Sequence, residues 1–197
     1  MFRLKSIMAA FALLFTAPIA LSPAATAQGT KVVVIDRVKI YAESQAGQDL
    51  RNKVAAIETT MQAELKPTAD KLQADGSSLE TRTQGMSREA ILANAALKGE
   101  VEQLAREAQL FERSRQITAN ELALTERAAL AEFNNALIPV LREVVAENSA
   151  NIILDKSQVV YVDDATDVSA SVIAKLNAAT PTINVVRQKM PTQQPQQ

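Results

Sequence analysis

The chain has 197 residues, with 21 Lys+Arg against 22 Asp+Glu, and contains no His, Cys or Trp. Without His or Cys, zinc centres, Cys–His nucleophile pairs and Ser-His-Asp triads are excluded by composition, and no disulfide can reinforce the fold. The near-even charge balance provides no dense basic face, so nucleic acid is not an expected partner.

The N-terminal stretch reads as an export signal. Arg3 and Lys5 form a basic region, residues 7–21 are an apolar run, and Ala25-Thr26-Ala27 gives the small-x-small pattern that a signal peptidase accepts. Pro18 interrupts the apolar run, which falls short of the about 20 residues a membrane span needs. Cleavage before Gln28 is expected, so that the mature chain lies outside the cytoplasm with 19 Lys+Arg against 22 Asp+Glu. Beyond that point only Tyr41, Phe111, Phe133 and Tyr161 supply aromatic rings, a poor stock for a compact core of large side chains.

Lys31-Val32-Val33-Val34-Ile35-Asp36 is β-branched without alternation, which predicts a strand buried on both faces. Residues 37–43 can make one or two helical turns with Ile40 and Tyr41 inward, and Ser44 is placed to cap a helix that follows. From there Leu50/Ile57, Val54/Met61 and Leu65/Leu72/Leu79 repeat every seven residues, the narrow stripe of a coiled-coil seam. Pro67 lies inside this helix, and the stripe continues past it, so a bend rather than a stop is expected.

Gly85-Met86-Ser87 reads as a turn, with Gly85 left-handed and Ser87 capping a second helix. That helix is expected to run unbroken to about 147, with Leu92, Leu97, Val101, Leu104, Ala108 and Phe111 on its stripe. At 1.5 Å per residue it is roughly 90 Å long, against a radius of gyration of about 15 Å for a compact domain of this size, so the molecule must be extended. A turn centred at Gly85–Met86 pairs residues whose numbers sum to about 171. Leu79 then faces Leu92, Met61 faces Leu110–Phe111, Val54 faces Ile117, and Leu50 faces Glu121–Leu122.

After the helices, Ile152-Ile153-Leu154-Asp155 and Val159-Val160-Tyr161-Val162-Asp163 flank Lys156-Ser157-Gln158, the pattern of a β-hairpin. Asp167 caps a helix from 168 to about 177, and the Pro- and Gln-containing remainder is expected to be a disordered tail. Asp163, Asp164 and Asp167 lack the glycine turn of a calcium loop and read as strand-end and capping residues. Lys156 beside Ser157 reads as a polar loop rather than a Ser–Lys nucleophile. The organisation predicted is a signal peptide (1–27), a β-containing body (28–43 and 128–177), a helical hairpin arm (44–127) and a tail (178–197).

Three short strands cannot close a core, and the Val32–Ile35 row would leave apolar faces wet, so several chains are expected to combine their strands. The competing arrangement covers the row with the chain's own second and last helices.

These segments in combination, namely an exported chain with Lys-Val-Val-Val-Ile-Asp, a long charged hairpin, Asn-Ile-Ile-Leu-Asp, Val-Val-Tyr-Val-Asp and Asp-Val-Ser-Ala-Ser-Val-Ile-Ala-Lys-Leu, resemble the Skp (OmpH) family of periplasmic chaperones over residues 31–177. The resemblance implies an α+β fold, a long antiparallel α-helical hairpin (coiled-coil arm) on a small β body, assembled as a homotrimer around a cavity. It implies a periplasmic, ATP-independent holding chaperone for unfolded outer-membrane β-barrel proteins, with no cofactor and no catalysis. Assembly would fall to Val32, Val33, Val34, Ile35, Ile152, Ile153, Leu154, Val159, Val160, Tyr161 and Val162, and client contact to the inner faces of the arms. Met86 and Ile91 are read as further client contacts from their position near the tip, not from the resemblance. The family's best-known members are strongly basic, whereas residues 44–150 here hold 12 Lys+Arg against 16 Asp+Glu. A lipopolysaccharide or membrane-surface site is therefore not carried over. The alternative from another class is a structural coiled-coil adaptor or spacer in the cell envelope; a hydrolase using paired carboxylates finds no acidic pair in a convincing pocket.

Overall fold

The computed structural model describes residues 29–190; the expected export segment (1–27) and residues 191–197 of the expected tail lie outside them. Strand β1 (Val32–Ile35) pairs in parallel with β2 (Ile152–Asp155), Val32 opposite Ile152 and Ile35 opposite Asp155. Parallel strands need a crossover connection, and here the crossover is the entire helical arm. On its other side β1 meets Asp167 through an isolated parallel bridge, and Val168 donates its N–H to the Val34 carbonyl at 2.9 Å. The expected hairpin is not formed. Asp155 accepts hydrogen bonds from the N–H and hydroxyl of Ser157, which turns the chain into one 3-10 turn (Lys156–Gln158), and residues 159–163 pair with no strand among the described residues. A short polar side chain bonding its own backbone competes with continuation of the strand.

Asp36 caps α1 (Arg37–Glu43), and Ser44 both ends α1 and starts α2 (Gln45–Thr83), its hydroxyl accepting from the Gly47 N–H at 3.1 Å. Arg51 closes this corner by donating to the Tyr41 and Ala42 carbonyls at 2.8 and 2.9 Å. Helix α2 runs through Pro67 without a break. Gly85 follows it at φ +81°, the left-handed conformation that glycine adopts without strain, and Ser87 caps α3 (Arg88–Ala93).

The second arm helix is not continuous. The Asn94 side chain accepts from the N–H groups of Ala96 and Leu97 and starts a new helix, α4 (Ala95–Glu147), of 53 residues. This break lengthens the tip and moves the pairing register. Lys71 reaches Glu107, Arg82 reaches Glu100, Gly76 abuts Leu104, and Leu50 shares a cleft with Leu130. Facing numbers therefore sum to about 180, not about 171, placing each α2 residue roughly nine residues, two and a half helical turns, further along α4 than a two-residue turn allows. Leu79 lies against Glu100, Gln103 and Leu104 rather than Leu92.

The core sits at the base of the arm. Ile35, Ile40, Leu50, Phe133, Val144, Val172 and Leu176 bring together β1, α1, the start of α2, the end of α4 and α5 (Ser169–Ala179). Each fully buried aliphatic side chain there contributes about 1.5–3 kcal/mol. Tyr41 and Phe133 meet edge to face at 5.4 Å, and the Arg51 guanidinium lies 5.2 Å from the Tyr41 ring centre. Val33, Val34 and Ile35 are already buried within one chain. The row's burial thus needs no partner strands, because the chain's own helices supply the cover.

The expectation of a disordered tail from residue 178 fails as far as residue 190: residues 178 and 179 close α5, and residues 180–190 are seated on the body and arm. They run extended along the arm with Ile183 in the core, Val185 and Arg187 turned inward and Asn184 and Val186 outward, the period of two that an extended chain imposes.

Candidate functional site

The arm is held by a thin seam. Beyond Met61, which is fully buried, α2 covers only a stripe of half-buried residues: Leu65, Ala69, Leu72, Gly76, Leu79 and Thr83. Their spacing of three and four is the heptad read from the sequence. Across the seam α4 contributes Leu97, Leu104 and Phe111 at half burial. The packing is loose; an open cleft of about 380 Å³ lies between Leu65 and Thr68 on one helix and Leu110 and Phe111 on the other.

Charges on the flanks fix the register. Lys71 lies 2.6 Å from Glu107 and 2.8 Å from Asp75, and Arg82 pairs with Glu100. Hydrogen bonds from Lys71 and then Gln103 hold the Glu107 carboxyl below its ordinary range, and the Arg82 guanidinium does the same for Glu100. Both pairs are exposed, where an ion pair is worth little in stability. Their role is alignment.

The shifted register leaves apolar side chains unpaired. Leu110 is 66 % exposed, and Ile117, seven residues on and so on the same face, is also open; Val101 and Leu92 are exposed as well. The sequence reading placed Leu110, Ile117 and Leu92 in the seam, because it took the tip to be two residues long. Of the two tip residues named from the sequence, Met86 is exposed and Ile91 half-buried.

A second apolar surface lies on the body. In β2, Ile152 and Leu154 face solvent while Ile153 packs on the core. Just beyond, Val160 and Tyr161 are 106 % and 80 % exposed, with Val159 and Val162 half-buried. The assembly residues read from the sequence thus divide three ways, with Val33, Val34 and Ile35 inside the chain, Val32, Ile153, Val159 and Val162 half-buried, and Ile152, Leu154, Val160 and Tyr161 outside it.

Polar residues that could have carried chemistry have structural partners. The Ser169 hydroxyl accepts from the Asp36 N–H at 2.8 Å and donates to Asp167 at 2.5 Å, while Lys156 reaches Asp167 at 3.0 Å. Burial pushes the Asp167 carboxyl up, but hydrogen bonds from the hydroxyl and N–H of Ser169 and from Lys156 outweigh it, and its pKa falls to about 2. Asp163 accepts from the Ala165 N–H and starts a 3-10 turn. Lys156 and Ser157 bond different carboxylates, Asp167 and Asp155, and do not form a nucleophile pair.

A parallel strand pair whose crossover is a long two-helix arm, with open apolar surface on the arm and at the strand edge, defines the class: a helical hairpin carried on a small α+β body. Within that class, the chain belongs to the OmpH-like outer membrane protein family, whose model, "Outer membrane protein (OmpH-like)", matches residues 31–176. Six solved chains match it. One is the crystal structure of a candidate outer membrane chaperone (OmpH-like) from Caulobacter crescentus, 21 % identical, with a TM-score of 0.71, covering 83 % of this chain and 94 % of its own. At that identity the likeness establishes the fold. No curated protein matches the chain.

Proposed function

We propose that this protein is a periplasmic holding chaperone that works without ATP. It binds unfolded outer-membrane β-barrel proteins between the arms of a homotrimer, and it keeps them from aggregating on the way to the outer membrane. The observation that carries this reading is the arm's apolar surface: Leu110 and Ile117 on one face, Val101 and Leu92 elsewhere, all open on a hairpin about 60 Å long, the length of its 39-residue first helix. Surface of this kind suits a chain that exposes scattered apolar side chains and has no fixed shape. Contacts are many and individually weak, so no single client conformation is selected. Release then needs no nucleotide, because the client gains more by folding in the membrane.

Family membership and the chaperone description of the Caulobacter crescentus relative support the reading. The export segment accords with a periplasmic location. Assembly as a trimer falls to the outer face of β2 and to residues 159–162, with the tip residues Met86 and Ile91 as additional client contacts.

The test is suppression of aggregation. Mature protein should keep a urea-denatured outer-membrane barrel protein soluble after dilution, without ATP, at a ratio near one trimer per client. A variant carrying Leu110→Asp and Ile117→Asp, both at exposed positions, should keep its helical content and lose most of that protection. Protection by neither form, with capture of one folded envelope partner instead, would establish the adaptor reading.

A further inference from the structure

The segment after α5 lies outside the family match, which ends at residue 176, yet it is seated on the arm by side chains that satisfy its backbone. Asp49 accepts the Ile183 N–H at 2.8 Å, Lys53 donates to the Ile183 carbonyl at 2.7 Å, and Thr125 accepts the Gln188 N–H at 2.9 Å. Glu121 accepts the Met190 N–H at 3.1 Å. Helices have no free main-chain groups along their sides, so recognition of an extended chain by a helical surface requires donors and acceptors of this kind. Ile183 fills an apolar seat, 3 % exposed. Four residues on, the Arg187 guanidinium spans the two arm helices, reaching Glu64 on α2 at 2.8 Å and Glu121 on α4 at 2.9 Å.

Glu121 decides what this seat is. It is 8 % exposed, and the donors to its carboxylate are Arg187, through two nitrogens, and the Met190 N–H. Thr125 is fully buried, and its hydroxyl accepts the Gln188 N–H of segment 180–190, the strap. Without segment 180–190 the Glu121 carboxylate loses the two Arg187 nitrogens and the Met190 N–H and is left to solvent, so the face and the segment are matched group by group. The occupant's chemistry is equally specific: an extended backbone, an apolar side chain, and a guanidinium four positions later to meet two carboxylates.

We infer that the face formed by Asp49, Lys53, Glu64, Glu121 and Thr125 is a binding groove for an extended peptide with an apolar residue followed four positions later by arginine, and that its resident ligand is the chain's own segment 180–190. The inference deepens the chaperone reading by naming a place on the arm where an extended client segment of that pattern competes with the strap. Its resident-ligand part stands independently of any client.

The probe is a fluorescein-labelled peptide of sequence Thr-Pro-Thr-Ile-Asn-Val-Val-Arg-Gln-Lys-Met, residues 180–190, titrated into the full mature chain and followed by anisotropy. Wild type, with its groove filled, should bind it weakly. The chain carrying Ile183→Asp and Arg187→Ala, whose strap is released, should bind it at least tenfold more tightly. A peptide with alanine in place of its arginine should bind the released chain at least tenfold less well. Equal binding of the probe by both chains, or indifference to the arginine, overturns the proposal. Hydrogen exchange on wild type gives a second reading that needs no variant. The N–H groups of Ile183, Gln188 and Met190 should be protected, and exchange at the rate of a free chain overturns it. Loss of aggregation suppression with intact peptide binding would count against the chaperone reading alone.

Discussion

At the corner between α1 and α2, one hydrogen atom decides whether the body closes. A Cβ added at Gly47 would lie 1.9 Å from the Tyr41 carbonyl oxygen and 2.8 Å from its carbon. The obstacle is backbone, fixed by the Ser44 cap and by Arg51, so it cannot yield as a flexible side chain would. Gly47→Ala should therefore destabilise the chain by about 1–3 kcal/mol or more, the range of overpacking, although alanine is the better helix former. Urea denaturation will measure it; an unchanged midpoint would show that the corner is looser than described. Asp167 offers the second test at this scale. Its folded-state pKa, about 2 against an ordinary 3.8, is depressed, so its contribution is present above pH about 4 and is lost as pH falls through about 2. The shift corresponds to about 2 kcal/mol. The stability gap between wild type and Asp167→Asn should accordingly be widest near neutrality and shrink between pH 4 and pH 2 in parallel urea titrations.

Among the elements, the arm register is the feature on which the site depends. The chain has no native cysteine, so engineered pairs report it cleanly. Gly76→Cys with Leu104→Cys should be joined by a short bis-maleimide, because a Cβ at Gly76 comes within 4.0 Å of Leu104 Cδ2 and the two thiols would face each other across the seam. Leu79→Cys with Leu92→Cys should not, since Leu79 lines one cleft with Leu104 while Leu92, in α3, is exposed. Cross-linking of the second pair and not the first would restore the short turn. What the sequence revealed and what it concealed follow the same division. Heptad spacing, the Ser44 and Ser87 caps and the Gly85 turn are local signals, legible because each is set by a few neighbouring residues. Asn94 was locally ambiguous: a polar residue inside a helical pattern, it becomes a cap only because its side chain folds back on Ala96 and Leu97. The break at that residue moves the register by about nine residues and with it the identity of the open apolar positions. The strap was missed for another reason. The prolines and glutamines of the whole stretch from 178 to 197 read as a solvated tail, while the alternation of Ile183, Val185 and Arg187 carries the opposite signal, which only the partners of Arg187 and Ile183 on distant helices make decisive.

For the whole molecule the question is what covers the apolar residues that the chain leaves uncovered. The buried β1 row removes one argument for assembly, yet Ile152, Leu154, Val160 and Tyr161 remain outside, and the outer edge of β2 has no partner strand among the described residues. An open strand edge beside free apolar side chains is a liability unless another chain occupies it. The trimer proposed above places that burden on residues which contribute almost nothing to the fold of a single chain. Val160→Asp with Tyr161→Asp separates the two roles, because both side chains stand in solvent and their replacement costs the isolated chain little. In an assembly each would bury surface worth about 1.5–3 kcal/mol per chain, and three clustered pairs of carboxylates would repel. Light scattering should give three times the chain mass for wild type and one chain mass for the double variant. Their helical circular dichroism should be the same. Wild type that scatters as a single chain at micromolar concentration, or a double variant that stays trimeric, would show that this face is not where the copies meet.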